Sequence, residues 1–478
     1  MSQLTQNTQK SKQFYFLLSL VISIFAIYAR TLTYDFINFD DRSYVSENPF
    51  VQSGITWHSI KWALTADLFY DSRYIDYWQP VTALSHAFVA QFYGENSTGH
   101  HLLNVILHSF NSILLFLILN QSTRCFYRSA FTAMLFAFHP IQVEAVAWIT
   151  ARKDLLSTFF ALFSIWLYTK YVFSRSKLTF TWVVIFFCMG CMAKPSIIFL
   201  PLILVLFDIW PLKTLWSKSG EFALKTLKDK KILFACSALF FFIFAFGASH
   251  TIQKCFEELR WADLLLYPAH LAFYVSRILF PVNLTIYGPF NSSYLMLFGI
   301  IGVFLLIGSS FILWITTFKS QPYLLFGFLW FLIGLIPIFS LWPADRFMYF
   351  PIIGLLISFS WGLRDLTVRF LSKSLFSSFA LIGIFVYALL SFHQSYYWQN
   401  FQTLIRHAIE VDPSNYIAQN YLAVDLIRKN RMSEAELYLR EALRTNPSFA
   451  AAHDNLGYIL EEEGKLEILR GKSIKRSK

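Results

Sequence analysis

The chain has 478 residues, of which 56% are hydrophobic, 19% aromatic and only 14% charged, and its mean hydropathy is +0.48. Soluble domains carry roughly 25% charged residues, so this composition excludes an ordinary soluble enzyme and indicates a chain surrounded largely by lipid. The net charge of +11 does not indicate nucleic-acid binding. Lys and Arg are concentrated in short loops between apolar segments, whereas a nucleic-acid partner requires one continuous basic face.

The apolar segments predict an all-α, polytopic membrane protein. A membrane-spanning helix needs roughly 20 mostly apolar residues, and about eleven segments qualify, two of them short. They are 14–31, 102–120, 129–149, 155–173, 179–193, 195–211, 232–250, 294–317, 323–341, 347–363 and 375–393. The first resembles a signal peptide, but we interpret it as an uncleaved span because many more spans follow.

One further apolar segment, 263–281, is interrupted by Pro268 and Pro281. Placing the N-terminus inside puts most Lys and Arg of the short loops on the inner side, as the positive-inside rule requires. This arrangement works only if 251–293 makes no net crossing, so we expect 263–281 to be interfacial or re-entrant. The membrane domain, 1–393, then has its first long loop, 32–101, on the same outer side as the tail, 394–478.

The tail is predicted to be a short tetratricopeptide-type helical repeat. Pro413 and Pro447 are 34 residues apart, which is the period of that repeat. The small residues Ala423 and Gly457 keep the same offset and are expected to let paired helices approach each other. Because stability usually needs about three repeats, we expect the tail to pack on the membrane domain, on another subunit or on a protein partner.

The first outer loop contains the strongest catalytic candidates, Asp40 and Asp41. They lie in the sequence TYDFINFDDRSYVSENP, where acids alternate with aromatic residues. Aromatic faces stack on sugars, and a carboxylate can remove the proton of an acceptor hydroxyl. The alternative interpretation is a solvated or calcium-binding loop.

A second outer region carries Glu144, Trp148 and Arg152 at the spacing of one helical stripe. An ionisable group such as Glu144 near the hydrocarbon edge is costly and is therefore a functional candidate. The alternative is a structural ion pair, either Glu144 with Lys153 or Asp154 with Arg152.

Polar residues in two predicted spans allow two interpretations. His101, Asn104, His108 and Asn111 share one face of span 102–120, and in lipid this face must point into the helix bundle. Interhelical hydrogen bonding is the first interpretation and a substrate cavity is the second. His139, before Pro140, is expected to be a hydrogen-bonded histidine at a kink rather than a ligand.

Two isolated cations, Lys194 and Arg346, lie at the outer ends of predicted spans. A fixed cation stabilises a phosphate leaving group, so each is a candidate for binding a lipid phosphate. Each could equally extend toward lipid headgroups.

The ordered motifs of the chain resemble the transmembrane and tetratricopeptide-repeat O-mannosyltransferase family and its prokaryotic relatives. The resemblance covers nearly the whole chain and is carried by DFINFDDRSYVSENPFVQSGITW, YWQPVTALSH, GHHLLNVILH, FHPIQVEAVAWITARKDLLST, MAKPSIIFLPLILVLFDIWPL and ADRFMYFPIIGL. It implies the C-type glycosyltransferase fold and a polyprenyl-phosphate-linked sugar donor at the outer face. It also implies an acidic pair near the reacting centre, here Asp40 and Asp41.

The resemblance implies a direct, inverting displacement in which Asp40 or Asp41 is the general base. The lipid phosphate would leave as an anion, stabilised by cations, and further residues would line the substrate cavity. The candidate phosphate-binding residues are Arg152, Lys153, Lys194 and Arg346, and the cavity candidates are Glu144, Trp148, His101 and His139. No metal ligand is assigned, although first-loop acids could hold a divalent metal.

Two departures from the family leave the acceptor open. The repeat array is short, which leaves a protein acceptor and a glycolipid acceptor as alternatives, and Gln79 replaces a His of prokaryotic relatives, so it receives no catalytic role. The runner-up function is a transferase acting on lipid A, a glycolipid or a surface polysaccharide. A non-catalytic scaffold that presents repeats follows, and a transporter ranks last because no inverted repeat is visible. We expect a bacterial inner membrane with a periplasmic tail, or an endoplasmic reticulum membrane with a luminal tail.

Overall fold

The computed structural model describes residues 3–66, 77–216, 226–247, 267–286, 297, 300–305, 308–309, 321–337, 343–367 and 372–476. Over these residues the chain is all-helical and has no β-strand, which confirms the all-α part of the predicted fold class. The α-helices are α1 Gln3–Tyr28, α2 Pro49–Gln52, α3 Trp57–Thr65, α4 Pro80–Tyr93, α5 Ser97–Thr123, α6 Phe126–Phe138, α7 Val143–Ala147, α8 Arg152–Ser174, α9 Lys177–Ala193, α10 Leu200–Ile209, α11 Lys231–Gly247, α12 Tyr267–Leu279, α13 Pro322–Leu335, α14 Ile352–Thr367, α15 Lys373–Ser395, α16 Phe401–Val411, α17 Tyr416–Arg428, α18 Met432–Thr445 and α19 Ala450–Arg476.

Polar caps and prolines determine where several helices begin. The side chain of Asn96 accepts a hydrogen bond from the backbone of Thr98 and starts α5. Ser372 starts α15 in the same way. Pro80 and Pro322 stand at the first positions of α4 and α13, where the missing N–H is not needed.

Among the described residues, four helical segments are long and apolar enough to cross a membrane, so the chain is an integral membrane protein. They are Asn7–Thr33, Ser97–Thr123, Arg152–Ser174 and Ser374–Trp398. Apolar helices of 10–17 residues correspond to three further predicted spans: Lys177–Ala193, Pro195–Ile209 and Pro322–Leu335. The predicted span 294–317 falls mostly outside the described residues, so the predicted number of eleven spans stays a prediction.

The predicted span 129–149 is bent rather than straight. The helix axis turns by 51° between Phe126–Phe138 and Pro140–Ala147. His139 is extended there (φ −72°, ψ 127°) because the residue before a proline is disfavoured in the helical region. Its Nδ1 accepts a hydrogen bond from the Ile141 N–H at 3.2 Å and its Nε2 donates to the Ile278 carbonyl at 2.9 Å. The kink with a hydrogen-bonded histidine is confirmed.

The prediction that Glu144, Trp148 and Arg152 share one helical stripe is wrong. Helix α7 ends at Ala147, Trp148 is extended (φ −83°, ψ 123°), and α8 begins only at Arg152. The break frees backbone groups for tertiary hydrogen bonds: the Trp148 carbonyl accepts from Asn104 Nδ2 at 3.0 Å. These bonds replace those that a continuous helix would have made.

Helix α5 directs its polar face into the bundle. His108 bonds to the Tyr349 hydroxyl (2.7 Å) and the Ala137 carbonyl (3.0 Å), and Asn111 donates to the Leu155 carbonyl (3.0 Å). The first interpretation of this face, interhelical hydrogen bonding, is confirmed for these residues.

Helix α12 covers the described part of the segment 263–281. Its 13 residues give a length of about 20 Å, which is shorter than the hydrocarbon core of roughly 30 Å. The residues 263–266 lie outside the described residues. The interfacial or re-entrant placement stays a prediction.

The tail consists of the helices α16 to α19. Ala423 is fully buried in α17, which packs against α16 and α18. Gly457 in α19 is exposed, and a Cβ atom added there would meet no described atom within 4 Å. The expectation that Gly457 lets paired helices approach is therefore wrong, since in the described part of the chain no helix packs on that face. The repeat assignment itself stays a prediction.

Candidate functional site

Asp41 fixes the first loop, 32–101, to the break before α8. Its side chain is fully buried; Oδ2 accepts from the Ile37 N–H at 2.7 Å and Oδ1 accepts from the Thr150 N–H at 3.0 Å. Burial raises the pKa of Asp41 to about 7, although these hydrogen bonds favour the charged form. Asp41 therefore holds the loop in place and is not open to a substrate.

Asp40 is the accessible member of the acidic pair. It is partly exposed, and its carbonyl accepts a hydrogen bond from Ser43 Oγ at 3.2 Å. The charge of the Asp40 carboxylate acts on both Lys153 and Arg346, although no ion pair of 4.0 Å or less joins Asp40 to either of them among the described residues. The structure thus brings one acid of the first loop beside two of the predicted phosphate-binding cations.

Arg346 is held by Glu144 and by an aromatic ring. Its Nη1 donates to Glu144 Oε1 at 2.5 Å, and its guanidinium lies 4.7 Å from the centre of the Trp148 ring. Glu144 also accepts a hydrogen bond from the Asp345 N–H at 3.2 Å. The alternative interpretation of Glu144 as the ion-pair partner of Lys153 is wrong, because Glu144 pairs with Arg346.

Arg277 attaches α12 to the same cluster. Its Nη1 donates to both carboxylate oxygens of Asp345, at 2.8 and 2.7 Å. Burial raises the pKa of Asp345, and the charge of Arg277 opposes this shift. The segment before α14 therefore carries two buried ion pairs at neighbouring residues, Asp345 with Arg277 and Arg346 with Glu144.

Lys194 is paired with Asp154 rather than free. The two side chains form a buried ion pair, and the Lys194 ammonium lies 5.0 Å from the centre of the Phe347 ring. The other oxygen of Asp154, Oδ2, is buried and has no hydrogen-bond partner among the described residues. The alternative interpretation in which Asp154 pairs with Arg152 is also wrong, since Asp154 at the start of α8 pairs with Lys194 after α9.

Lys153 differs from the other cations of the cluster. It is 8% exposed, and its ammonium lies 5.1 Å from the ring centre of Tyr44 and 5.4 Å from that of Tyr77. In the described part of the chain no carboxylate comes within 4.0 Å of its nitrogen. A cation held by aromatic faces keeps its N–H donors available for an anionic ligand.

Arg152 is fully engaged inside the protein. Nε donates to Asn104 Oδ1 at 2.9 Å, Nη1 to the Ser85 carbonyl at 3.1 Å and Nη2 to the His100 carbonyl at 2.9 Å. It therefore joins α4, α5 and α8. His101 is buried nearby, with its ring edge-on to Tyr34 at 6.3 Å.

His139 lies apart from the charge cluster, in the wall of an apolar cavity of about 580 Å³. The cavity lies between α6, α12, α13, α14 and α15, and its lining includes Leu135, Ile278, Phe331, Phe359, Phe379 and Tyr387. Ile278 is the neighbour of Arg277, so α12 borders both the cavity and the charge cluster. An apolar cavity beside fixed cations can accommodate a lipid chain with an anionic head.

Several residues of the cluster were not singled out from the sequence. The rings of Tyr44 and Tyr77 lie next to the Lys153 ammonium. In the sequence, the aromatic residues among the first-loop acids were the feature that could have predicted such contacts. Arg277 and Asp345 gave no such signal, because their pairing depends on tertiary structure. Over the described residues, no three His, Cys, Asp or Glu side chains are grouped so as to hold a metal ion.

Comparison with known proteins gives the following likenesses. No family model matches the chain. The human protein O-mannosyl-transferase TMTC3 is 23% identical over 408 residues, which is 75% of this chain and 43% of the relative. Mouse TMTC1 is 33% identical over 27% of this chain and 14% of the relative, and human TMTC4 is 31% identical over 32% of this chain and 22% of the relative. The chain thus spans less than half the length of these curated relatives, and it is similar to protein O-mannosyl-transferases over three quarters of its own length.

Proposed function

We propose that the chain is a membrane glycosyltransferase that transfers a hexose from a polyprenyl-phosphate donor to an acceptor hydroxyl. Mannose is proposed from the names of the relatives. The observation that carries the proposal is the electrostatic interaction of the accessible Asp40 carboxylate with Lys153 and Arg346. Helix α12 borders both this charge cluster and the apolar cavity.

Asp40 is proposed as the general base. Asp41 is fully buried and both its oxygens accept backbone hydrogen bonds, whereas Asp40 is partly exposed. Asp40 takes the proton of the acceptor hydroxyl while the hydroxyl oxygen attacks the anomeric carbon. The bond to the lipid phosphate breaks, and the phosphate leaves as an anion with inversion at the anomeric carbon.

Lys153 and Arg346 are proposed to stabilise the departing phosphate. Lys153 has aromatic neighbours and, in the described part of the chain, no carboxylate within 4.0 Å, so its N–H donors are available to a phosphate. Arg346 keeps donor nitrogens beyond the one that binds Glu144. The charge of Lys194 is balanced by its ion pair with Asp154, so Lys194 is proposed to hold the start of α8 rather than to bind the phosphate. Arg152 supports Lys153 by fixing the same helix start.

The apolar cavity supports a donor with a long isoprenoid chain. Its volume of about 580 Å³ and its aliphatic and aromatic lining suit hydrocarbon. Glu144 and Trp148 would then line the sugar side of the site, next to Arg346. The proposal includes the C-type glycosyltransferase fold, with the first loop and a tetratricopeptide-type tail on the outer side of a bacterial inner membrane or the luminal side of an endoplasmic reticulum membrane.

A glycolipid or surface polysaccharide is the second candidate acceptor. The ring of Phe401 in α16 and that of Tyr421 in α17 pack against Phe39 of the first loop. These two helices are thus engaged with the membrane domain, which reduces the surface that the tail can offer to a protein acceptor.

Membranes containing each variant, incubated with a panel of labelled polyprenyl-phosphate sugars, test the proposal. We expect Asp40→Asn to lower transfer by about 100-fold or more, the usual contribution of a general base. Glu47→Gln is the matched control, because Glu47 belongs to the same loop and pairs only at the surface with Arg42. Label in protein or in chloroform-extractable lipid identifies the acceptor. If the Asp40→Asn variant, present at the normal protein level, keeps the full rate of sugar transfer, the proposed mechanism is wrong.

A further inference from the structure

We propose that the tail helices α16 and α17 are part of the catalytic unit, because they hold Phe39 and thereby set the position of Asp40. This inference rests on the proposed role of Asp40 as the base. It assigns Phe39, Phe401 and Tyr421 as positioning residues, and it gives the tail a role other than acceptor capture.

Phe39 is inserted between the tail and the membrane domain. Its ring centre lies 4.9 Å from that of Phe401 and 4.9 Å from that of Tyr421, at interplanar angles of 64° and 88°. On its other side the Trp148 ring lies 6.3 Å away at 64°. These are edge-to-face distances and angles at which aromatic pairs attract each other. The residue before Asp40 is therefore fixed by two tail helices and by the segment before α8.

The same aromatic cluster reaches the cation beside the phosphate position. The ring of Trp398, at the start of the tail, lies 5.8 Å from that of Trp148. The guanidinium of Arg346 also lies against the Trp148 ring, at 4.7 Å from its centre. The tail thus contacts the supports of both charged groups that the proposed reaction uses, Asp40 and Arg346.

Polar contacts hold the tail against the membrane domain. The Asp35 N–H donates to the Gln399 carbonyl at 3.0 Å, and Arg30 Nε donates to Ser395 Oγ at 2.9 Å. His407 Nε2 donates to the Leu284 carbonyl at 3.1 Å. Contacts before and after Phe401 therefore fix the helix that bears it, so that α16 can hold Phe39 at a defined place.

The Asp40 carboxylate depends on such support. Its neighbour Asp41 accepts two backbone hydrogen bonds, but no hydrogen bond to the Asp40 carboxylate is found among the described residues. Its orientation is consequently set by the backbone on either side, by Asp41 after it and by Phe39 before it. Loss of the Phe39 contacts therefore removes one of the two supports of Asp40.

A positioning role has a kinetic signature. Misplacement of a catalytic group by about 1 Å can lower the rate about 100-fold, whereas donor binding relies on the cations and the apolar cavity. Removal of the ring at residue 401 or 421 is therefore expected to lower kcat and to leave the donor KM nearly unchanged. The loss should persist with a small soluble acceptor that makes no contact with the tail.

The experiment compares Phe401→Ala and Tyr421→Ala with Leu437→Ala and Tyr458→Ala in the full-length chain. Leu437 and Tyr458 are tail residues that are 68% and 48% exposed, so they serve as matched controls. Transfer from a labelled polyprenyl-phosphate sugar to a small soluble alcohol is measured over a range of donor concentrations. We expect kcat to fall about 10- to 100-fold in the first two variants and to change less than about twofold in the controls.

Tyr421→Phe keeps the ring and should retain kcat. Rates are compared only between variants with the same thermal midpoint in detergent, so that a general loss of folding is not counted as a loss of positioning. Three outcomes would overturn the inference: unchanged kcat in both ring-deletion variants, a raised acceptor KM with unchanged kcat, or a kcat loss that Tyr421→Phe shares. If Asp40→Asn is inactive while Phe401→Ala and Tyr421→Ala are fully active, the inference fails and the proposed function stands. If Asp40→Asn is fully active, the proposed function fails first.

Discussion

Arg346 donates a hydrogen bond of 2.5 Å to Glu144, which lies 202 residues earlier in the chain. The Glu144 side chain is 4% exposed and that of Arg346 is 19% exposed, so the pair is largely removed from water. Breaking a buried pair costs far more than breaking a surface pair, because the remaining charge is left without a partner. This pair connects the kinked segment after α6 to the segment before α14.

The variant Glu144→Gln should therefore destabilise the protein. We expect a loss of about 3 kcal/mol, within the range for one-sided removal of a buried pair, seen as a lower thermal midpoint in detergent. Glu434→Gln is the control, since its partner Arg431 and Glu434 itself are about half exposed and such pairs contribute about 0–1 kcal/mol. Equal midpoints for the two variants would show that the Glu144 pair is not a stabilising contact.

Lys153→Met should weaken catalysis without weakening the fold. The methionine can fill the space between Tyr44 and Tyr77 but cannot stabilise an anion. We expect transfer to fall about 100-fold, as when one donor to a developing anion is removed. Lys61→Met, an exposed lysine of the same loop, should retain activity. An active Lys153→Met protein would remove Lys153 from the phosphate site.

Stability should depend on pH through Asp41. The pKa of this carboxyl is about 7 in the folded chain and about 3.9 in an unfolded one. Between these values the folded protein binds the proton and the unfolded chain does not, so this contribution to stability is present below about pH 4 and is lost as pH rises toward 7.

The thermal midpoint of the protein, measured relative to that of Asp41→Asn, should therefore fall between pH 5 and pH 7 and level off above. The Asn side chain does not titrate, so the variant removes this dependence while other groups contribute equally to both proteins. If the thermal midpoint of the protein instead rises relative to that of Asp41→Asn as the pH increases, the folded state favours the ionised carboxylate.

A side chain added at Gly383 should obstruct the donor chain. Gly383 lines the apolar cavity, and a Cβ atom there would meet no described atom within 4 Å. Gly383→Phe is thus expected to raise the KM for a long polyprenyl donor about tenfold, which corresponds to about 1.4 kcal/mol. The KM for a donor with only two isoprene units should not change. Gly457→Phe, at the exposed glycine of α19, is the matched control, and equal effects on both donors would exclude the cavity as the chain site.

The sequence identified the acidic and basic residues of the site but not their pairing. Asp40, Glu144, Lys153, Lys194 and Arg346 were each candidates from their residue type and their place beside apolar segments, and the structure gathers them in one cluster. Which acid pairs with which base depends on helix packing. For this reason neither alternative pair, Glu144 with Lys153 or Asp154 with Arg152, is found.

The different environments of Asp40 and Asp41 could not be predicted from the sequence either. The two residues are adjacent and equally polar, but Asp41 accepts hydrogen bonds from the Ile37 N–H and from the N–H of Thr150, which is 109 residues away. The break of the helix at Trp148 is hidden for a related reason, since Trp and Ala are compatible with helix and the competing hydrogen bond comes from Asn104. Local patterns predict helices well where no such tertiary bond competes.

The bond between Arg30 and Ser395 joins residues 365 positions apart, and this separation determines when the protein can mature. The ribosome makes the first loop early and the segment that holds it hundreds of residues later. The nascent chain must therefore insert its intervening helices with Phe39 still uncovered, and the site can close only after residue 421 has emerged. A protein truncated before that point would reach the membrane without having acquired its final active geometry.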